Sequence, residues 1–156
     1  MEKHEGRHHC AYNATSGNYR AVGVAYDLDQ SPVADRKAEL SAVFADYEQV
    51  YHGEECLNDL QITALLTISV KRGLDEAAEC VRALDNFSCD IQVVLLDLVF
   101  AKGKDWLCEQ EKFIAKLNKE DWSGAAEVLE ETEWCKKNEE RCKDDIAKLR
   151  GESSAV

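Results

Sequence analysis

Asn58–Leu84 reads NDLQITALLTISVKRGLDEAAECVRAL, and this stretch decides the architecture. Ile62, Leu65, Leu66, Val70, Leu74, Ala77, Ala78, Val81 and Leu84 recur at the spacing of one helix face. Asn58 is placed to cap that helix, and Gln61, three residues on, completes a capping box. Gly73 is a point where the helix bends or divides. Asp85-Asn86 ends the run.

Downstream, the pattern predicts further helices at about 90–101, 105–117, 121–132 and 135–149, with a disordered polar tail at 151–156. Upstream, residues 12–29 alternate apolar and polar around Ser16-Gly17-Asn18 and read as a small β-hairpin. Residues 2–10 read as a short helix, residues 34–45 as a helix after Pro32, and His52–Glu55 as a loop. The expected class is α+β and predominantly helical, with one small hairpin near the N-terminus.

Composition narrows the class further. Apolar residues make up 45% and charged residues 32% of the 156, the balance of a globular protein. No apolar run approaches the roughly 18 residues of a membrane span; the longest, Ile91–Phe100, is interrupted by Gln92 and Asp97. The net charge of −12 repels nucleic acid, anionic membranes and the anionic polymers of bacterial walls. Seven cysteines with no Cys-x-x-Cys spacing favour disulfides over a zinc ribbon or a thioredoxin-type site. The alternative is a set of buried free thiols. An odd count leaves one free thiol or one intermolecular bridge. Cys135 and Cys142 would lie about 10 Å apart on a continuous helix, so they can pair only where that helix breaks. Asn13-Ala14-Thr15 and Asn86-Phe87-Ser88 are N-glycosylation sequons, which with the cysteines points to a secreted eukaryotic-type protein. No signal peptide precedes Glu2-Lys3-His4, as expected of a chain whose leader has been removed.

Several stretches, in order, carry a family pattern. Lys3-His4-Glu5-Gly6-Arg7 leads through Cys10-Ala11-Tyr12 to Asn18–Val24 and Tyr26-Asp27-Leu28-Asp29. Cys56-Leu57-Asn58-Asp59-Leu60-Gln61 opens the long helix. Val93–Gly103, then Ala115–Ala126 with Trp122, then Trp134 and Arg141 complete the series. Over roughly residues 3–150 the chain resembles the phage-type lysozymes. The resemblance implies one domain spanning 1–150 with two lobes. The small lobe covers about 12–55 and carries the hairpin; the connecting helix covers about 58–84; the helical lobe covers about 88–150 together with the N-terminal helix. A sugar-binding cleft lies between the lobes in that family.

Glycoside hydrolysis needs a proton donor and, in most families, a second carboxylate. The resemblance makes Glu5 the general acid and Arg141 its ion-pair partner. It also places Ala14 where the family carries its catalytic Asp. Ala21 stands where the family carries a water-positioning Thr, or Arg20 does if the hairpin has no insertion. A methyl group neither activates water nor stabilises a cation, and loss of a general acid–base group typically lowers a rate by about 10²–10⁴-fold. Ala25 replaces a family glycine, Lys102 stands in the Phe100–Gly103 stretch, and Glu140 and Asp144 replace an Asn and an Arg. A glycan on Asn13 would sit at the mouth of the cleft. Asp27 and Asp29 are the nearest substitute carboxylates.

The expectation is a lysozyme-like protein that is inactive or very weak and binds amino-sugar polymers such as peptidoglycan or chitin fragments. The alternative is an active muramidase using Glu5. Tyr12, Tyr19 and Trp106 are the aromatic candidates for binding a sugar ring, whereas Trp122 and Trp134 match family positions of structural type. Asn13 and Asn86 are the glycosylation sites. His4-Glu5-Gly6-Arg7-His8 formally matches the zincin motif, but a zincin needs a long helix and an anchored third ligand. No metal, cofactor, nucleic-acid or membrane partner is expected.

Overall fold

The computed structural model describes residues 6–14 and 18–151. The chain is 63% helical with one three-stranded antiparallel sheet, so the α+β, mostly helical class is correct. The strands are β1 (His8–Ala14), β2 (Tyr19–Gly23) and β3 (Tyr26–Asp27), in the order β1-β2-β3. The helices are α1 (Val33–Ala42), α2 (Tyr47–Tyr51), α3 (Asp59–Ala77), α4 (Cys89–Lys102), α5 (Lys104–Glu109), α6 (Glu111–Asn118), α7 (Trp122–Glu130), α8 (Glu133–Lys137) and α9 (Glu139–Leu149). A 3-10 turn covers Leu84–Asn86. The chain divides into two compact units, 1–71 and 72–156, with the boundary inside α3.

In the first unit, the helix expected over residues 2–10 is corrected where the chain is described: His8–Cys10 belong to β1. Gly6 has φ +75°, which a right-handed helix does not accommodate, and the strand is then fixed on both sides. Tyr12 faces Ala21, Asn13 faces Arg20 and Ala14 faces Tyr19 across the β1–β2 ladder. On the other side the Leu57 amide donates to the His9 carbonyl at 2.7 Å, and Cys10 is bridged to Cys56. Val22, Leu28, Leu40, Val50, Ile62 and Leu65 form the core of this unit. The Tyr26 hydroxyl donates to Glu39 at 2.6 Å, and Glu39 pairs with the buried Arg36, which pins α1 to the sheet.

Helix α1 stops three residues before its expected end at 45. Its terminus is a Schellman turn: the Ala45 amide donates to Leu40 O and the Phe44 amide to Ser41 O, both at 3.0 Å. Phe44 takes the position where such turns carry glycine, with φ +62°. Ala25 likewise has φ +52°. Each left-handed residue with a Cβ costs about 1–2 kcal/mol. The capping box opening α3 is formed: Gln61 N donates to Asn58 Oδ1 at 2.8 Å and Asn58 N to Gln61 Oε1 at 2.9 Å. The five-residue α2, capped by Asp46, has too few residues for a periodic signal in the sequence.

The second unit packs around α4, which is buried along most of its length by Ile91, Val94, Leu95, Leu96, Leu98 and Val99. Helix α3 runs through Gly73 and ends at Ala77 rather than 84. A Cβ on Gly73 would lie 2.6 Å from Leu96, so the glycine serves close packing against α4 instead of a bend. The helix expected over 105–117 divides at Gln110. The helix expected over 135–149 divides at Asn138, whose φ −133° and ψ 56° are not helical. That break brings the Cα atoms of Cys135 and Cys142 to 5.1 Å, and they are bridged. Cys80 is bridged to Cys108, and Cys89 is a free, exposed thiol. Gly151 closes a turn after α9, and the rest of the expected tail, 152–156, lies outside the described residues. No helix among the described residues is long and apolar enough to cross a membrane.

Closing a loop of 46 residues removes more denatured-state entropy than closing one of 7. Urea unfolding of Cys10→Ala/Cys56→Ala should show a loss of about 4 kcal/mol, against about 2.5 for Cys135→Ala/Cys142→Ala. Equal losses would mean that native-state packing, not chain entropy, sets the contribution of each bridge.

Candidate functional site

The hairpin carries most of the residues named from the sequence. Ala14 ends β1, half-buried, and Ala21 is fully buried in β2, so position 21 faces packed protein. Tyr12 and Tyr19 are half-buried, and the Tyr12 ring stacks on His8 with centroids 4.0 Å apart. Asn13 is exposed, and its Oδ1 accepts from Arg20 Nη1 at 3.1 Å. Arg20 also donates through Nε to the Tyr51 carbonyl at 2.7 Å, so it clasps the hairpin to α2. Glu5 and Thr15 lie outside the described residues. His8 lies in a strand, not on the helix that the zincin reading requires, and His4 lies outside the described residues.

Two carboxylates do stand together at the end of the sheet. The backbone amide of Asp29 donates to Asp27 Oδ1 at 2.9 Å, and the amide of Arg20 donates to Asp29 Oδ2 at 2.9 Å. Burial raises the Asp27 carboxyl above its ordinary range, and the Asp29 charge adds to that. The Tyr51 hydroxyl is hydrogen-bonded to Asp29, which raises its own pKa.

In the second unit, Arg141 on α9 donates to Asp97 Oδ1 on α4 through Nε at 2.9 Å and Nη2 at 2.7 Å. Both carboxylates of the local pair, Asp97 and Asp145, are buried. Burial, a hydrogen bond to Asp97 and the Asp97 charge push the Asp145 carboxyl up to about 10. It therefore holds its proton at neutral pH, beside the Asp97 carboxylate that Arg141 pairs. This buried trio ties α9 to α4.

Trp106 is half-buried and packs against the core of the second unit, with Lys102 Nζ 5.9 Å from its ring centre. Trp134 is buried, and Trp122 meets Phe87 edge-on at 5.1 Å. A pocket of about 570 Å³ opens in this unit beside Trp122, Ser88, Glu120, Lys148 and Arg150. Asn86 is exposed in the 3-10 turn ahead of α4, and Ser88 of its sequon caps that helix. Among the described residues no group of three or more His, Cys, Asp or Glu side chains is placed to hold a metal ion.

The sequence reading missed the Asp97–Asp145 pair. Its signal was the Asp97 that interrupts an otherwise apolar helix, because a buried charge requires a partner. No protein-family model matches the chain, and no curated protein matches it.

The sign of the Asp145 effect follows from linkage. Its folded pKa is raised, so its stabilising contribution is complete below about 3.8 and is lost as pH rises towards about 10. Asp145→Asn keeps a hydrogen-bond donor for Asp97 without that loss. Relative to wild type, the variant should gain up to about 4 kcal/mol between pH 4 and pH 7 by urea unfolding. A pH-independent difference would mean that Asp145 is ionised in the folded protein.

Proposed function

We propose that this chain is a secreted lysozyme-like protein that has lost effective muramidase chemistry and binds amino-sugar polymers such as peptidoglycan or chitin fragments. The observation that carries the reading is the content of the hairpin. Ala14 and the fully buried Ala21 stand where the resemblance calls for a carboxylate and a water-positioning hydroxyl. Neither side chain has an atom that activates water. The three disulfides agree with an oxidising compartment. The acidic charge weakens approach to an anionic wall, which is unfavourable for a wall-degrading enzyme.

A second reading rests on Asp27 and Asp29. Their pairing at the end of the sheet offers a carboxylate for an active muramidase with Glu5 as general acid. Loss of turbidity in a suspension of bacterial cell walls separates the two readings. The expected result is no clearing by wild type or Glu5→Gln, with both melting cooperatively. Binding of chitin oligosaccharides should still be measurable by calorimetry. Clearing that vanishes in Glu5→Gln and in Asp29→Asn would establish the second reading instead.

The secreted reading has its own check. Protein made in a eukaryotic secretory host should shift on treatment with peptide N-glycosidase, and Asn86→Gln should remove one step of that shift. Wild-type protein that does not shift would contradict it.

A further inference from the structure

The pocket of about 570 Å³ in the second unit is bounded by the N-termini of α4 and α7 and by the end of α9. That volume is typical of a small-molecule site. The buried Ile91 and Leu149 and the half-buried Trp122 supply its apolar lining. The polar groups beside them are of two kinds. Some are spent within the fold: the Ser88 hydroxyl accepts from Ile91 N at 3.3 Å, and the Asp121 carboxylate accepts from Gly124 N at 2.9 Å. Others are not. The Trp122 indole N–H, the Ser123 hydroxyl, the Glu120 carboxylate and the Lys148 ammonium make no hydrogen bond or ion pair with any described residue. Glu120 also sits at φ +56° in the turn that ends α6, where its amide donates to Leu117 O and the Asp121 amide to Lys116 O, both at 2.9 Å. Glycine fills that turn position best, so a glutamate there sets a carboxylate at the pocket against the backbone's own preference.

The chemistry of the lining selects the ligand. Asp90, Glu120 and Asp121 are offset by Lys148, Arg150 and the positive ends of α4 and α7. With both signs so close together, neither an anion nor a cation gains by entering. The lining suits a neutral molecule with an apolar face for Trp122, hydroxyls that both donate and accept, and a methyl group for Ile91 and Leu149. An N-acetylated sugar has all three. We propose that this pocket binds a neutral, chitin-type N-acetylhexosamine disaccharide against Trp122, with hydrogen bonds to Glu120, Ser123 and Lys148. The inference rests on the glycan-binding reading and narrows it: the site is in the second unit, not on the hairpin, and it disfavours the anionic muramic acid units of peptidoglycan. The same chemistry has a second source within the chain. Asn86 is exposed and lies two residues before the pocket-lining Ser88, and the first two sugars of an N-linked glycan there are this disaccharide.

The test is calorimetric titration of the unglycosylated full chain, made in an oxidising bacterial compartment, with millimolar N,N′-diacetylchitobiose. Wild type should bind it, and should bind a disaccharide containing N-acetylmuramic acid more weakly. Glu120→Gly should weaken binding by about 10-fold or more. The same variant should melt at a higher temperature than wild type, because glycine relieves the turn, so its weaker binding cannot be attributed to unfolding. Trp122→Phe keeps an aromatic ring beside Phe87 but loses the indole N–H, and should weaken binding by roughly 3- to 10-fold. Protein from a eukaryotic secretory host separates the two sources. If the Asn86 glycan fills the pocket, the free disaccharide binds only after Asn86→Gln; if it does not, the glycosylated wild type binds as the bacterial protein does. Equal binding by wild type and both pocket variants, or tighter binding of the muramic acid disaccharide, would overturn this inference and leave the glycan-binding reading standing. No binding by the unglycosylated wild type would overturn both.

Discussion

The buried contact between Asp97 and Arg141 is the constraint on which the second unit is built. Helix α4 is the apolar centre of that unit, and a lone carboxylate within it would oppose folding by several kcal/mol. Arg141 supplies two charge-assisted hydrogen bonds, and protonated Asp145 supplies a donor one helical turn further along α9. Their joint demand fixes the rotation of α9 about its own axis. Helix α9 is separate from α8, parted at Asn138, and the Cys135–Cys142 bridge spans that break.

The first unit is organised differently, by short polar clasps around a small apolar centre. Arg20 joins β1 to α2, Glu39 joins β3 to α1, and Gln61 joins the end of α1 to the start of α3. These clasps join elements whose paired residues lie 13 to 31 positions apart. The hairpin is thereby rigid enough to present Tyr12, Asn13 and the Asp27–Asp29 pair in fixed relation.

Legibility of the sequence followed the range of the interactions. The Asn58–Gln61 box is local, and it formed as read. The spacing of Cys135 and Cys142 ruled out a bridge on an unbroken helix, and the helix is broken. What could not be read depends on partners distant in sequence. Residues 8–10 become strand because of the His8–Gly23 pairing and the Cys10–Cys56 bridge, neither of which their own composition reveals. The end of α1 was hidden because phenylalanine is a poor signal for a turn that favours glycine. The roles given to positions 14 and 21 came from resemblance alone, while the Asp97–Asp145 pair required knowing that α4 and α9 meet.

The three bridges have one further property in common: none interleaves with another along the chain. Cys10 meets Cys56, then Cys80 meets Cys108, then Cys135 meets Cys142. A chain oxidised from its N-terminus onward, as it is synthesised, can close each loop before the next begins and needs no reshuffling between loops. Cys89 is the one exception to that order, because it emerges while Cys80 still awaits Cys108. It is therefore the thiol able to capture Cys80 prematurely.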